Sequence, residues 1–177
     1  MHLNPYGEYA VLLAASLANA WPETREDIVA QTREAGMTVE FEPGHNDHAA
    51  VRELIDEWLT VVDAADDRTR ADLLNEQMAR ATAYPRLTNH DDEGWHLHYR
   101  DDDARSLPQV LAAVISVGTA LHLTTRGMQR LRRCEADDTC RAVVVDVTRN
   151  GRQRYCSVRC ANRAAVRRHR ARAARKA

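Results

Sequence analysis

The chain has no run of about twenty consecutive apolar residues, and no basic segment precedes the apolar stretch in MHLNPYGEYAVLLAASLANAWP. Both absences argue against a membrane span and a signal peptide, so a cytoplasmic protein with no membrane partner is expected. A phosphate-binding glycine loop, a G-x-S-x-G elbow and a nucleophile paired with a base are all missing too, and no enzyme is expected. Cysteine is absent from the first 133 residues. Acidic residues are scarce at the other end: residues 126–177 hold sixteen Lys/Arg against four Asp/Glu, a formal excess of twelve positive charges. Residues 1–125 hold nine Lys/Arg against twenty-two Asp/Glu, so the overall charge of −1 hides a strongly divided chain. A basic tail suited to a polyanion, beside an acidic partner domain, is the reading such asymmetry supports.

What the first 133 residues lack, the last third concentrates. Cys134 and Cys140 form one close pair, and Cys156 and Cys160 form another. In a reducing compartment, clustered thiols favour a metal over disulfides. Two close pairs around a hairpin-sized spacer can each clamp one side of a tetrahedral zinc ion. The alternatives are buried unliganded thiols, or two disulfides in an exported protein. Four thiolates fill the tetrahedron and leave no position for water, so one structural zinc is expected. Val143, Val144, Val145 and Val147 are strand formers, and Asn150-Gly151 suits a two-residue hairpin turn to a return strand with Arg152, Arg154 and Tyr155. Ser157 can cap a helix that starts inside the second cysteine pair. The order of knuckle, hairpin and helix is treble-clef-like.

Ahead of the cysteines the chain is mostly helical. Residues 12–17 form an apolar helical pattern that ends near Trp21-Pro22, and residues 24–35 a short polar helix stopped by Gly36. Val51, Leu54, Ile55, Trp58, Leu59 and Val62 recur at spacings of three and four, after a cap at Asn46 or Asp47. A further helix over 68–83 is expected to bury Leu73, Leu74, Met78 and Ala81. Leu87, Trp95, Leu97 and Tyr99 alternate with polar residues around an acidic turn at 91–94, which predicts a two-stranded hairpin. Helical periodicity resumes over 105–125. The expected fold class is mainly α with small β-hairpins: an α-rich domain over 1–125, large enough for its own core, and a four-cysteine finger over 126–177.

The segment from Val145 to Arg163, VDVTRNGRQRYCSVRCANR, resembles the CGNR zinc-finger family. The shared pattern is an apolar-Asp-x-Thr-Arg-Asn hairpin, an aromatic-Cys-Ser step, a Cys-Gly-Asn-Arg-like end and a basic helix. Here Ala161 stands in place of the family's Gly, Tyr155 in place of the common Trp, and the second cysteine spacing is short. Residues 13–20, LAASLANA, resemble the start of the helical ABATE domain that precedes the finger in such proteins. The resemblance implies zinc held by Cys134, Cys140, Cys156 and Cys160, and a stress-induced transcription regulator.

Arginine is the remaining signal. Guanidinium groups suit bidentate contacts to phosphate, and Arg149, Arg152, Arg154, Arg159, Arg163, Arg167, Arg168, Arg170 and Arg172 are the candidate nucleic-acid contacts. Double-stranded DNA is the expected partner, mainly on the resemblance. A structured RNA or an acidic protein partner are the rival readings, and a solvated helical tail is the plain one. Val158, Ala161 and Ala165 are expected on the packed side of that helix. The helical domain is expected to sense a small-molecule effector or to form a homodimer. His45, His48, His90, His96 and His98, with Asp91 or Asp92, offer a second metal site, although capping or surface roles fit them better.

Overall fold

The computed structural model describes residues 7–37, 41–89, 95–99, 105–137 and 139–175. Six α-helices and four short strands are found among them: α1 Glu8–Asn19, α2 Arg25–Glu34, α3 Asp47–Val62, α4 Asp67–Ala81, β1 Arg86–Thr88, β2 His96–His98, α5 Leu107–Arg126, β3 Leu131–Arg133, β4 Val143–Val145 and α6 Val158–Ala174. The strands make two separate antiparallel pairs, β1 with β2 and β3 with β4.

Local chemistry sets most helix starts. Thr24 and Asp27 form a reciprocal capping box on α2, and the Asp66 carboxylate accepts from the Thr69 N–H on α4, each satisfying donors a helix leaves open. The Asp47 carboxylate, expected as a cap for α3, instead accepts the Gly44 N–H at 2.7 Å and fixes the preceding turn.

α5 is the central helix and packs on α1, α3 and α4. Its buried residues lie nearly all round: Leu107, Val110, Leu111, Ala113, Val114 and Ile115 are followed by Ser116, Val117, Gly118 and Thr119. By length and composition α5 could cross a membrane, but 67% of its most apolar window is buried inside this fold. The sequence shows no unbroken apolar run there because Ser116, Thr119 and His122 interrupt it. Gly118 permits the close approach of α1, since a Cβ at that position would lie 2.4 Å from the Ala10 Cβ. Trp58 on α3 donates its indole N–H to the Thr119 hydroxyl at 3.0 Å, so the largest core side chain is fixed by polarity as well as packing.

On α4, Leu74 is buried as expected, but so are Arg70 and Gln77. The Arg70 guanidinium donates to the carbonyls of Val61 at 3.0 Å, Val62 at 3.2 Å and Met128 at 2.6 Å. It thereby closes the C-terminus of α3, where cations are favoured, and ties in the 3-10 turn over Met128–Arg130.

The small hairpin forms as expected, with Leu87 opposite Leu97, but the acidic turn at 91–94 lies outside the described residues. Its apolar face points outward: Leu87, Trp95 and Leu97 are exposed, whereas His98 is buried. Alternation identifies two faces of a strand without saying which of them the core covers.

The second pairing differs from the sequence expectation. β4 pairs with β3, ahead of the first cysteine, and residues 152–155 form no strand. The Asp146 carboxylate is the reason. One oxygen accepts from the Thr148 N–H at 2.9 Å and from its hydroxyl, and the other accepts from the Gln153 N–H at 2.9 Å. The turn that follows spans 148–151, with Gly151 at φ 66° and its N–H on the Thr148 carbonyl. A carboxylate has captured the donors that a return strand would have offered to the ladder.

The β3–β4 ribbon is a shared wall. Leu131, Val143 and Val145 belong to the large core with α1, α3 and α5, whereas Val144 packs with Cys134, Ala136 and Cys160. The two-residue period of a strand sends neighbouring valines into two different clusters. Asn19, at the end of α1, accepts the Val143 N–H at 2.7 Å and donates to the Val143 carbonyl at 3.0 Å. Asp63 receives the Arg133 guanidinium in two parallel bonds at 2.8 and 2.7 Å.

Candidate metal centre and basic helix

The ribbon delivers Cys134 at the end of β3, and the strand pairing brings Cys140 back within reach. Asp137 shapes the loop between them. Its Oδ1 accepts the N–H groups of Thr139 and Cys140 at 3.0 and 3.1 Å and the Thr139 hydroxyl at 2.6 Å. These bonds, with the Thr139 hydroxyl foremost, hold the Asp137 carboxyl below the usual carboxylate range. On the other side the Ser157 hydroxyl accepts the Cys160 N–H at 3.2 Å and caps α6, as expected from the sequence. Cys156 lies just before the cap and Cys160 in the first turn of the helix, where the dipole favours negative charge.

The four Sγ atoms all lie within 4.8 Å of one another. Three of the separations are 3.7 Å for Cys140–Cys156, 3.5 Å for Cys156–Cys160 and 3.7 Å for Cys140–Cys160. A zinc–sulfur bond of about 2.3 Å implies tetrahedron edges of about 3.8 Å, so Cys140, Cys156 and Cys160 already stand at the spacing of one zinc ion, with Cys134 within 4.8 Å of them. All four cysteines are free thiols. Cys134 and Cys160 are buried, whereas Cys156 is exposed.

The four thiols are not equivalent. The Ser157 hydroxyl, and then the Cys156 thiol, lower Cys160 to about 7. Burial and the neighbouring thiols raise Cys156 to about 12. A metal bound here takes the place of the thiol protons. The Cys134 sulfur also accepts the Cys156 N–H at 3.4 Å. The arrangement is closed: four sulfur donors complete a tetrahedron, which is the pattern of a structural site.

The arginines divide into three groups. Arg163 is turned toward the site, donating to the Cys160 sulfur at 3.3 Å and pairing through Nε with the Asp137 carboxylate at 2.7 Å. It joins the two halves of the cluster and offsets thiolate charge. Arg154 stands 3.5 Å from Glu135. Arg149, Arg152, Arg159, Arg167, Arg170 and Arg172 are exposed, as is Arg168, which donates to the Tyr155 hydroxyl at 2.7 Å. The buried face of α6 is Cys160 and Ala164. Val158 is 78% exposed, and Ala165 is exposed too, so neither belongs to the packed side expected for it. Helical spacing alone does not place the seam, because the anchor is a metal ligand rather than an aliphatic stripe.

Among the described residues the cysteines are the only cluster able to hold a metal. The histidines form no such cluster there: His48 is engaged with the Pro22 carbonyl at 3.0 Å, and His98 is buried in the hairpin. His90, Asp91 and Asp92 lie outside the described residues. Asp137 and Asn19 escaped sequence reading, although Asp137-x-Thr139 is a recognisable Asx-turn signal.

No curated protein matches the chain. Residues 130–173, about a quarter of the chain, match the family model described as the CGNR zinc finger. The segment that builds this four-thiol zinc site is thus of the CGNR zinc-finger type.

Proposed function

We propose that the chain is a transcriptional regulator whose zinc finger and α6 bind double-stranded DNA. One observation carries the reading: beyond Ala164, every described residue of the C-terminal helix is exposed. That stretch has Arg167, Arg168, Arg170, Arg172 and Arg175 and no acidic residue. It extends about 16 Å at 1.5 Å per residue, and a helix of that diameter fits the major groove of B-form DNA. A helix exposed on every side gains little from the protein's own core. Phosphate contacts would give it a partner, and Arg149 and Arg152 on the neighbouring loop add two more cations. The zinc holds the base of the helix, so metal and DNA affinity should be linked. The helical body, which resembles an ABATE domain at its start, would be the sensing half.

The test is a fluorescence-polarisation titration of the zinc-loaded chain against duplex DNA at several salt concentrations. If five phosphates are engaged, log affinity should fall with log salt at a slope of about −4.5, and chelation should abolish binding. Flat polarisation at low salt with zinc in place would refute the proposal. Equal competition by duplex RNA would remove the preference for DNA.

A further inference from the structure

The helical body contains a cleft of about 340 Å³ between α3, α4 and the start of α5. Small residues on each of its three helices, Ala50, Ala81 and Ala112, are among those that line it. That volume is in the range of small-molecule sites. Ile115, at 1% exposure, and Leu54 give the cleft an apolar wall.

The polar groups of the cleft are unevenly used. Glu57 and Arg80 are paired across α3 and α4. Glu53 and Arg105, which also line the cleft, make no ion pair among the described residues. Gln77 is 7% exposed and lines the cleft; its amide donates to the Glu57 carbonyl at 3.0 Å. The four rim charges sum to zero, and among the described residues one group of each sign is left outside an ion pair. An anion alone would meet Arg105 but also Glu53, and a cation alone the reverse. A ligand carrying both charges satisfies both.

We infer that this cleft binds a small zwitterion with an apolar side chain, a compound of the amino-acid or short-peptide class. Its ammonium group pairs with Glu53, its carboxylate with Arg105, and its side chain lies against Leu54 and Ile115. The helices that wall the cleft also hold the finger: α3 leads into Asp63, which binds Arg133, and α4 carries Arg70, which binds the Met128 carbonyl. Occupancy therefore reaches the ribbon through two existing ties. The inference rests on the regulator reading for this consequence, and on the cleft alone for binding.

The experiment uses the zinc-loaded full chain without DNA. Isothermal titration calorimetry and thermal shift are run with the common L-amino acids and L-leucyl-L-leucine, up to ~10 mM, which covers weak millimolar ligands. Each apolar amino acid is matched by controls lacking one charge, 4-methylpentanoate and 3-methylbutylamine for leucine. At least one apolar zwitterion should bind and raise the melting temperature, with both single-charge analogues about tenfold weaker or worse. Glu53→Gln and Arg105→Gln should each weaken binding about tenfold or more while leaving zinc content and the ligand-free melting temperature in place. Ala112→Leu, which fills the cleft, should abolish binding in a folded protein. No zwitterion binding, equal binding by a single-charge analogue, or unchanged binding in the folded variants would each overturn the inference. A chain that takes the zwitterion and fails to bind DNA refutes only the regulator reading.

Discussion

Asn19 does for β4 what a third strand would otherwise do, and its removal is the sharpest test of how the finger is held. Val143 is 3% exposed, and both its main-chain N–H and its carbonyl face the Asn19 carboxamide, at 2.7 and 3.0 Å. Asn19→Ala leaves one donor and one acceptor without partners. Each such group costs about 1–3 kcal/mol when fully buried, but Asn19 is itself exposed and water can reach part of the gap. The expected loss is therefore about 1–3 kcal/mol in total, or roughly 2–10 °C in melting temperature for a chain of this size. The assay is urea denaturation of the zinc-loaded protein followed by circular dichroism, paired with the rate of zinc transfer to a chromophoric chelator. Because Val143 is in the main core and Val144 in the zinc cluster, both readouts should move together. A change below about 0.5 kcal/mol, the range of an ordinary surface substitution, would refute the reasoning. So would faster zinc loss with global stability intact.

Two further outcomes follow from groups around the ribbon. Asp137→Ala removes the acceptor of three knuckle bonds and the partner of Arg163, and zinc affinity should fall about 10–100-fold in chelator competition; unchanged affinity would contradict the role assigned to Asp137. His122 is fully buried and neither ring nitrogen has a partner among the described residues. Burial lowers its pKa from 6.5, with Glu8, Arg126, Arg130 and Asp146 as the charged neighbours. The unfolded chain thus takes up a proton that the folded chain refuses, so its contribution to stability is present above about pH 6.5 and lost as pH falls below it. His122→Leu should be neutral or stabilising near pH 7, and should remove up to about 1.4 kcal/mol per pH unit of acid sensitivity. Equal pH slopes in the two proteins, measured by denaturation between about pH 7 and pH 5, would refute this.

The metal centre was legible in the sequence because its chemistry lies in residue type and spacing, and Ser157 was legible as a cap for the same reason. Helices α3 and α5 followed from their apolar periods. Pairing was harder. Leu131-Arg132-Arg133 carries one apolar residue and reads as a linker, yet it is the partner of β4. Asn150-Gly151 reads as a hairpin turn, but Asp146 takes the donors of Thr148 and Gln153 first. Buried Arg70 and Gln77 look solvent-facing in sequence, since the carbonyls that receive them come from other parts of the chain. The outward face of the small hairpin could not be read, because alternation fixes the period of a strand and not its orientation.

The two-faced ribbon has a consequence for anyone wishing to move this finger elsewhere. The family match begins at residue 130, but a transplant cut there would carry Leu131, Val143 and Val145 into water with no helices to cover them. It would also lose the carboxamide of Asn19 and the carboxylate of Asp63. A graft that works must bring a surrogate for α1 or repaint those three side chains as polar. The recipient scaffold then has to leave the opposite face, with Val144 at its centre, free to close around the metal.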